Sequence, residues 1–368
     1  MDVSWIDSNA ALAAWVEGTG HAALAVDTEA DSFHHYREKL CLVQMSARGR
    51  HALLDPLASV DLSILRPPFE DKSLRKILHG ADYDVRLLAR DSGIVLGGII
   101  DTMIAARLLG EPALGLAALL GKHLDVRLDK AHQKADWSRR PLSDTLRAYA
   151  VADTRHLEAL ASILEERLHA LGRTDWLREE CERVCAARWT DPDDDAEAFR
   201  RVKGARTLDG RGLAVLRELW SWRDATARKR DKAAFRILHD ATLVALAKAP
   251  PSAIGDLARI AGVPDSLIRS PSAHDLLEAG RRGAACPEPL RPEVRTNARE
   301  RPDPAAEARS DRIKERRDEV ARDLGVDPSV VASRAVILEM AKRWEAGDDP
   351  WAVADLRVWQ AGVLKPQL

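Results

Sequence analysis

The chain has 368 residues, 46% of them hydrophobic and 31% charged, and a formal net charge of −2. That length fits two or three domains, and the composition excludes a disordered chain. The charge excludes a chain that is basic throughout, and no stretch reaches the roughly 18 apolar residues of a membrane span. The opening MDVSWIDSNAALAAW carries Asp2 and Asp7 where a secretory signal would carry positive charge, so a cytoplasmic protein is expected.

Short apolar or alternating runs predict strands over 22–29, 40–45 and 51–55, then over 75–79 and 98–101. Helical patterns cover 83–91, 102–109, 114–124 and 142–171. Hairpin-spaced strands followed by strand–helix alternation argue an α/β domain whose mixed sheet is flanked by helices. Past Leu171 the strand patterns stop. Residues 176–189 read as helix, TDPDDDAEAF is an acidic break at Pro192, and a helical block runs from about 210 to 279. Residues 283–304 hold five prolines and little apolar pattern, and a last helical block follows over 307–361. The expected domains are 1–190 (α/β), 205–284 (helical), a linker at 285–305, and 306–368 (helical). Cys181 and Cys185 lie one helical turn apart with no further soft ligands nearby, so they read as helix residues rather than half a zinc site.

The segment AVDTEAD puts Asp27 and Glu29 at the end of a predicted core strand. Strand residues two apart face the same side, so both carboxylates enter one space. Two such charges about 4 Å apart repel by about 4 kcal/mol at an effective dielectric near 20. Solvent, protonation or a cation must relieve that repulsion. Two further segments offer acids. In ILHGADYDVRLLARD, Asp82 and Asp84 both sit at a strand-to-helix junction, where either would also serve as a helix cap. In LRAYAVADTRHLEAL, Tyr149 and Asp153 are four apart and share a helix face.

Together these segments resemble the three motifs of the DEDD exonuclease superfamily, in the subgroup with Tyr in the third motif, and most closely the ribonuclease D family. The matching stretches are VDTEADSFHHYREKLCLVQMS, ILHGADYDVRLL and YAVADTRHL, and DKAHQKADWSRRPLSDTLRAYA is similar to the family's lead into its last helix. The resemblance implies a ribonuclease H-like α/β fold over about residues 1–170 and two divalent ions, Mg²⁺ or Mn²⁺. Asp27, Glu29, Asp84 and Asp153 are the implied ligands. It places Asp27 between both ions, Glu29 and Asp153 on the nucleophile side, and Asp84 on the other side partly through water. Tyr149 would orient the attacking water. The family acid follows the motif's His79 by five residues, which selects Asp84 and leaves Asp82 as a cap or rim residue. Tyr36 and His79 are expected to contact nucleic acid, His34 and His35 to lie in a solvated loop, Gln44 to serve structure, and Asp31 to lie at the surface.

Residues 199–237 carry twelve Lys/Arg against four Asp/Glu, with Arg228, Lys229 and Arg230 as candidate phosphate contacts. Trp220 and Trp222 are two apart, so at least one should pack in a core. The stretch from about 208 to 280 resembles the HRDC domain (helicase and ribonuclease D C-terminal), and the last block looks like a divergent second copy. The resemblance thus implies two all-α HRDC-like bundles behind the nuclease. The implied activity is 3′→5′ exoribonuclease action on structured RNA, such as tRNA precursors, releasing nucleoside 5′-monophosphates from a monomer. A DNA exonuclease of the same chemistry and a catalytically weak nucleic-acid-binding protein are the alternatives.

Overall fold

The computed structural model describes residues 3–129, 132–190, 195–288, 291–293 and 304–365. Most of the expected linker at 285–305 and the acidic run 191–194 lie outside them. Two compact units emerge. One comprises 1–30, 40–189 and 300–368, and the other 31–39 and 190–299.

The first unit is built on a six-stranded mixed sheet of order β1-β4-β3-β2-β5-β6. The strands are β1 Val3–Ile6, β2 Leu24–Ala30, β3 Leu40–Ala47, β4 Arg50–Leu54, β5 Lys76–Leu78 and β6 Ile99–Asp101. β2 to β4 form the expected hairpin-spaced antiparallel set, and β5 joins β2 in parallel. β1 was not anticipated. Its four residues VSWI are too few to show a period, and its pairing with β4 is long-range and parallel.

β2 lies between β3 and β5, so the acids enter from the middle of the sheet. Asp27 pairs with Gln44 and Glu29 with Leu42, and the register slips directly after Glu29. Such an irregularity re-aims side chains at a strand end. The helix predicted over 142–171 is two helices, Asp144–Arg155 and Leu157–Ala170, which part at His156. Asp144–Arg155 packs on β2, β3 and β4. Leu42, Leu53, Trp137, Ala150 and Val151 form the apolar seam between this helix and the sheet.

Helices of the last block share the core of this sheet. Ile313, Val331, Ile337 and Met340 belong to one apolar cluster with Leu24, Val43, Leu88 and Leu164. Arg173, 6% exposed, ties the two parts together. Its guanidinium donates to the Leu108 carbonyl and to the Leu324 carbonyl, both at 2.6 Å. These carbonyls end the helices Thr102–Leu108 and Pro304–Leu324, so one buried cation satisfies two helix C-termini. Trp359 stacks on Trp176 at 4.5 Å, and its backbone and ring N–H groups donate to Glu179 and Glu180. A Cβ at Gly110 would stand 1.9 Å from the Gly325 carbonyl oxygen, so only glycine fits that crossing. The block expected to stand apart as its own domain is thus built into the first unit.

The second unit is helical, with Gly210–Arg230 as its axis and Asp240–Lys248 and Ser272–Ala284 against it. Gly283 permits the closest approach, because a Cβ there would meet Val215 Cα at 2.4 Å. Trp222 is buried and Trp220 packs beside the same core, as their spacing required. Residues 31–39, sequence neighbours of the first motif, fold into this unit. The Tyr36 hydroxyl donates to Asp224 at 2.7 Å, His35 meets Asp231 at 2.7 Å, and Phe33 packs edge-on against Phe235. His35 is therefore docked rather than solvated. Asp31, expected at the surface, is 1% exposed and accepts the Lys39 backbone N–H at 2.9 Å, closing the segment on itself.

Candidate active site

The ends of β2, the helix Asp82–Ser92 and the helix Asp144–Arg155 meet at a cavity of about 440 Å³. Asp27, Glu29, His79, Asp84, Tyr149 and Asp153 all line it. Asp27, Glu29 and Asp153 each bring a carboxylate oxygen within 4.8 Å of the other two. Asp84 stands outside that trio, with its carboxylate accepting the Thr28 hydroxyl at 2.5 Å. Asp82 is exposed and paired with Arg86 at 2.9 Å, and it does not line the cavity.

The turn that delivers Asp84 is fixed by a residue whose role the sequence did not reveal. β5 ends at Leu78, and Gly80 then takes a left-handed φ of 76° that only glycine adopts freely. The Gly80 and Ala81 N–H groups donate to Asp101 at 2.9 and 2.8 Å, and Asp101 also caps the helix Thr102–Leu108. Asp101 is buried, so its partners replace water. Its only sequence signal was an acid at the end of a predicted strand ahead of a helical run. Asp101→Ala would orphan the half-buried Gly80 and the buried Ala81 backbone donors and is expected to lower unfolding stability by about 2–4 kcal/mol. Urea unfolding of both proteins checks this.

Tyr149 is held from behind. Its ring lies 6.0 Å from Trp137 and meets His132 edge-on at 5.8 Å. Arg140 locks the Trp137 segment through Asp55 at 2.7 and 2.6 Å and the Cys41 carbonyl at 2.6 Å. His79 Nδ1 lies 2.9 Å from the Thr102 hydroxyl, which donates to the Leu78 carbonyl, so the ring nitrogen is the donor. Gln44 is fully buried beside Asp27 in the register, and its amide has no hydrogen-bond partner among the described residues.

Burial raises every acid of the group, and repulsion among them adds to it at Asp27 and Glu29. Glu29 is pushed up to about 9 by burial, then by Asp153 and Asp84. Asp153 rises to about 7 through burial, and Asp84 rises to about 7 through burial despite the Thr28 hydrogen bond. Asp27 is raised well above the carboxylate range by burial, then by Asp84, Glu29 and Asp153. Burial, then Asp153, Glu29 and Asp27, raise Tyr149, which therefore stays a neutral phenol able to donate. Burial lowers His79 and keeps it neutral. Hard oxygen donors that cannot all ionise alone are what a divalent cation fits, and the free cysteines take no part.

Among the candidate nucleic-acid contacts, only His79 lines this cavity. Tyr36 belongs to the helical unit, where the Arg228 guanidinium lies 5.4 Å over its ring and pairs with Asp224 at 3.5 Å. Arg230 donates to the Ser272 hydroxyl at 2.7 Å, and Lys229 is exposed.

The profile of the 3′-5′ exonuclease family matches residues 3–169, and that of the HRDC domain matches residues 212–279. Ribonuclease D of Pseudomonas paraeruginosa is 33% identical over 305 residues, covering 80% of this chain and 80% of its own. Ribonuclease D of Gluconacetobacter diazotrophicus is 32% identical over 72% of this chain and 67% of its own. The crystal structure of Escherichia coli RNase D, described as an exoribonuclease involved in structured RNA processing, superposes with a TM-score of 0.75. It is 27% identical and covers 99% of this chain and 96% of its own.

Proposed function

Because the chain belongs to the ribonuclease D family and is a 3′→5′ exoribonuclease, we propose that it trims the 3′ ends of structured RNA such as tRNA precursors, using two divalent ions. The observation that carries the ion site is the convergence of half-buried Asp27, Glu29 and Asp153 within 4.8 Å in one cavity. Asp27 with Glu29 and Asp153 would hold one ion, and Asp27 with Asp84 would hold the other. Mg²⁺ or Mn²⁺ suits this all-oxygen set and, when bound, would activate the attacking water and neutralise charge at phosphorus.

The chain's own groups supply orientation. Tyr149, wedged by Trp137, offers a phenol hydrogen that fixes the direction of the attacking water. Asp101 holds the turn that sets Asp84, and His79 presents a neutral ring to the terminal nucleotide. In the helical unit, Lys229 with Arg228 and Arg230 contacts RNA phosphates without reading sequence. We read residues 306–368 as a divergent second HRDC copy, whose described helices share the apolar core of the nuclease sheet. A monomer in the cytoplasm goes with this reading, and no described helix is long and apolar enough to cross a membrane.

The test uses end-labelled RNA and matched DNA with Mg²⁺ or Mn²⁺, then with EDTA. A 3′ ladder on RNA that vanishes with EDTA is expected. A ladder that survives EDTA would sink the metal assignment, and equal DNA degradation would sink the preference for RNA.

A further inference from the structure

On the side of the Asp144–Arg155 helix away from Tyr149 and Asp153 lies a second cavity, of about 280 Å³. Its walls are Val3 and Trp5 of the edge strand β1, Leu53 of β4, and Arg147, Val151 and Arg155 of the helix. Residues 147, 151 and 155 are spaced four apart and form one stripe. The two arginines at its ends are unusual for this chain. Most arginines here meet a carboxylate, as Arg140 meets Asp55 and Arg167 meets Glu111. Among the described residues the guanidinium groups of Arg147 and Arg155 form no hydrogen bond or ion pair, and the Nε of each is buried without a partner. Arg147 instead lies 4.8 Å over the Trp5 ring. A buried guanidinium donor left unpaired is unfavourable until an acceptor arrives.

Burial and then the Arg155 charge hold both His51 and His156 below their ordinary value. Guanidinium forks match phosphate oxygens, and the apolar wall of Val3, Leu53 and Val151 suits a flat, weakly polar body.

We propose that this cavity is a second nucleotide-binding site, with Arg147 and Arg155 taking the phosphate and the β1 side taking the sugar and base. The ligand is a nucleotide phosphate, supplied either by an RNA strand or by a free mononucleotide. The RNA source rests on the exoribonuclease reading, and the mononucleotide source does not.

The experiment measures binding in EDTA of a labelled oligoribonucleotide, of a nucleoside 5′-monophosphate and of inorganic phosphate. It compares wild type, Arg147→Gln/Arg155→Gln, and Ala148→Phe, which fills the cavity from an exposed position and leaves both arginines in place. Both variants should melt with the wild type and bind RNA about tenfold more weakly, the scale of one charged hydrogen bond. Loss of RNA binding alone assigns the strand, and loss of mononucleotide binding as well assigns any nucleotide. Wild-type binding of RNA and mononucleotide by both variants would overturn the proposal. So would a loss confined to the arginine variant, because the cavity would then play no part. With metal restored, both variants should cleave a dinucleotide at the wild-type rate. No cleavage of any oligoribonucleotide by the wild type would instead sink the nuclease reading.

Discussion

Asp27→Asn is expected to lower exonuclease turnover by more than about 10³-fold, beyond the loss of a single preorganised transition-state contact. The same change should make the metal-free protein more stable. Glu29 rises from 4.5 to about 9, and Asp84 and Asp153 rise from 3.8 to about 7. Each acid binds its proton more tightly folded than unfolded, so above the ordinary carboxylate range the unfolded state holds fewer protons. Stability without metal therefore falls as pH rises from about 4 to about 9. Removing the Asp27 charge eliminates part of that repulsion. Above about pH 7 the gain should be at least about 1 kcal/mol, the scale of one pKa unit, and it should vanish at about pH 4. Thermal melts in EDTA across that range, beside RNA turnover with Mn²⁺, separate the two effects. A variant that loses activity and stability together would show that Asp27 serves the fold.

Truncation before residue 304 should unfold the catalytic unit rather than free it. The lost block includes Ile313, Val331, Ile337, Met340 and Trp359, all buried. Each such side chain contributes about 1.5–3 kcal/mol, so their sum rivals the roughly 5–15 kcal/mol that holds a domain folded. The Arg173 guanidinium would also lose the Leu324 carbonyl, and Trp176 its stacking partner. A point change gives a graded version. Arg173→Ala orphans two helix-terminal carbonyls and should cost about 2–6 kcal/mol. Circular dichroism and melting of the truncated chain test this account, and a truncation that melts with the full chain would refute the shared core.

The acids could be read in the sequence because their chemistry is local. A carboxylate pair two apart on a strand and a Tyr–Asp pair four apart on a helix carry their geometry in their spacing. What lay hidden depends on distant partners. The last block's amphipathic pattern predicted helices, but no period says that Ile313 packs in the same core as Leu164. Residues 31–39 follow the first motif directly, and only the contacts of Tyr36 with Asp224 and of His35 with Asp231 reveal that they fold with the helical unit. Asp101 looked like an ordinary strand end until Gly80 and Ala81 were found donating to it. Asp31 looked exposed because the hydrogen bond that buries it comes from the backbone of Lys39.

The central claim is that Asp27, Glu29, Asp84 and Asp153 exist to be neutralised by divalent ions. Calorimetric titration with Mn²⁺ at about pH 7, in two buffers of different ionisation enthalpy, tests it most directly, because metal binding to protonated carboxylates releases protons. The expected result is binding with proton release in the wild type, weakened at lower pH and lost in Asp27→Asn. Binding that releases no protons, or that survives Asp27→Asn unchanged, would contradict the account.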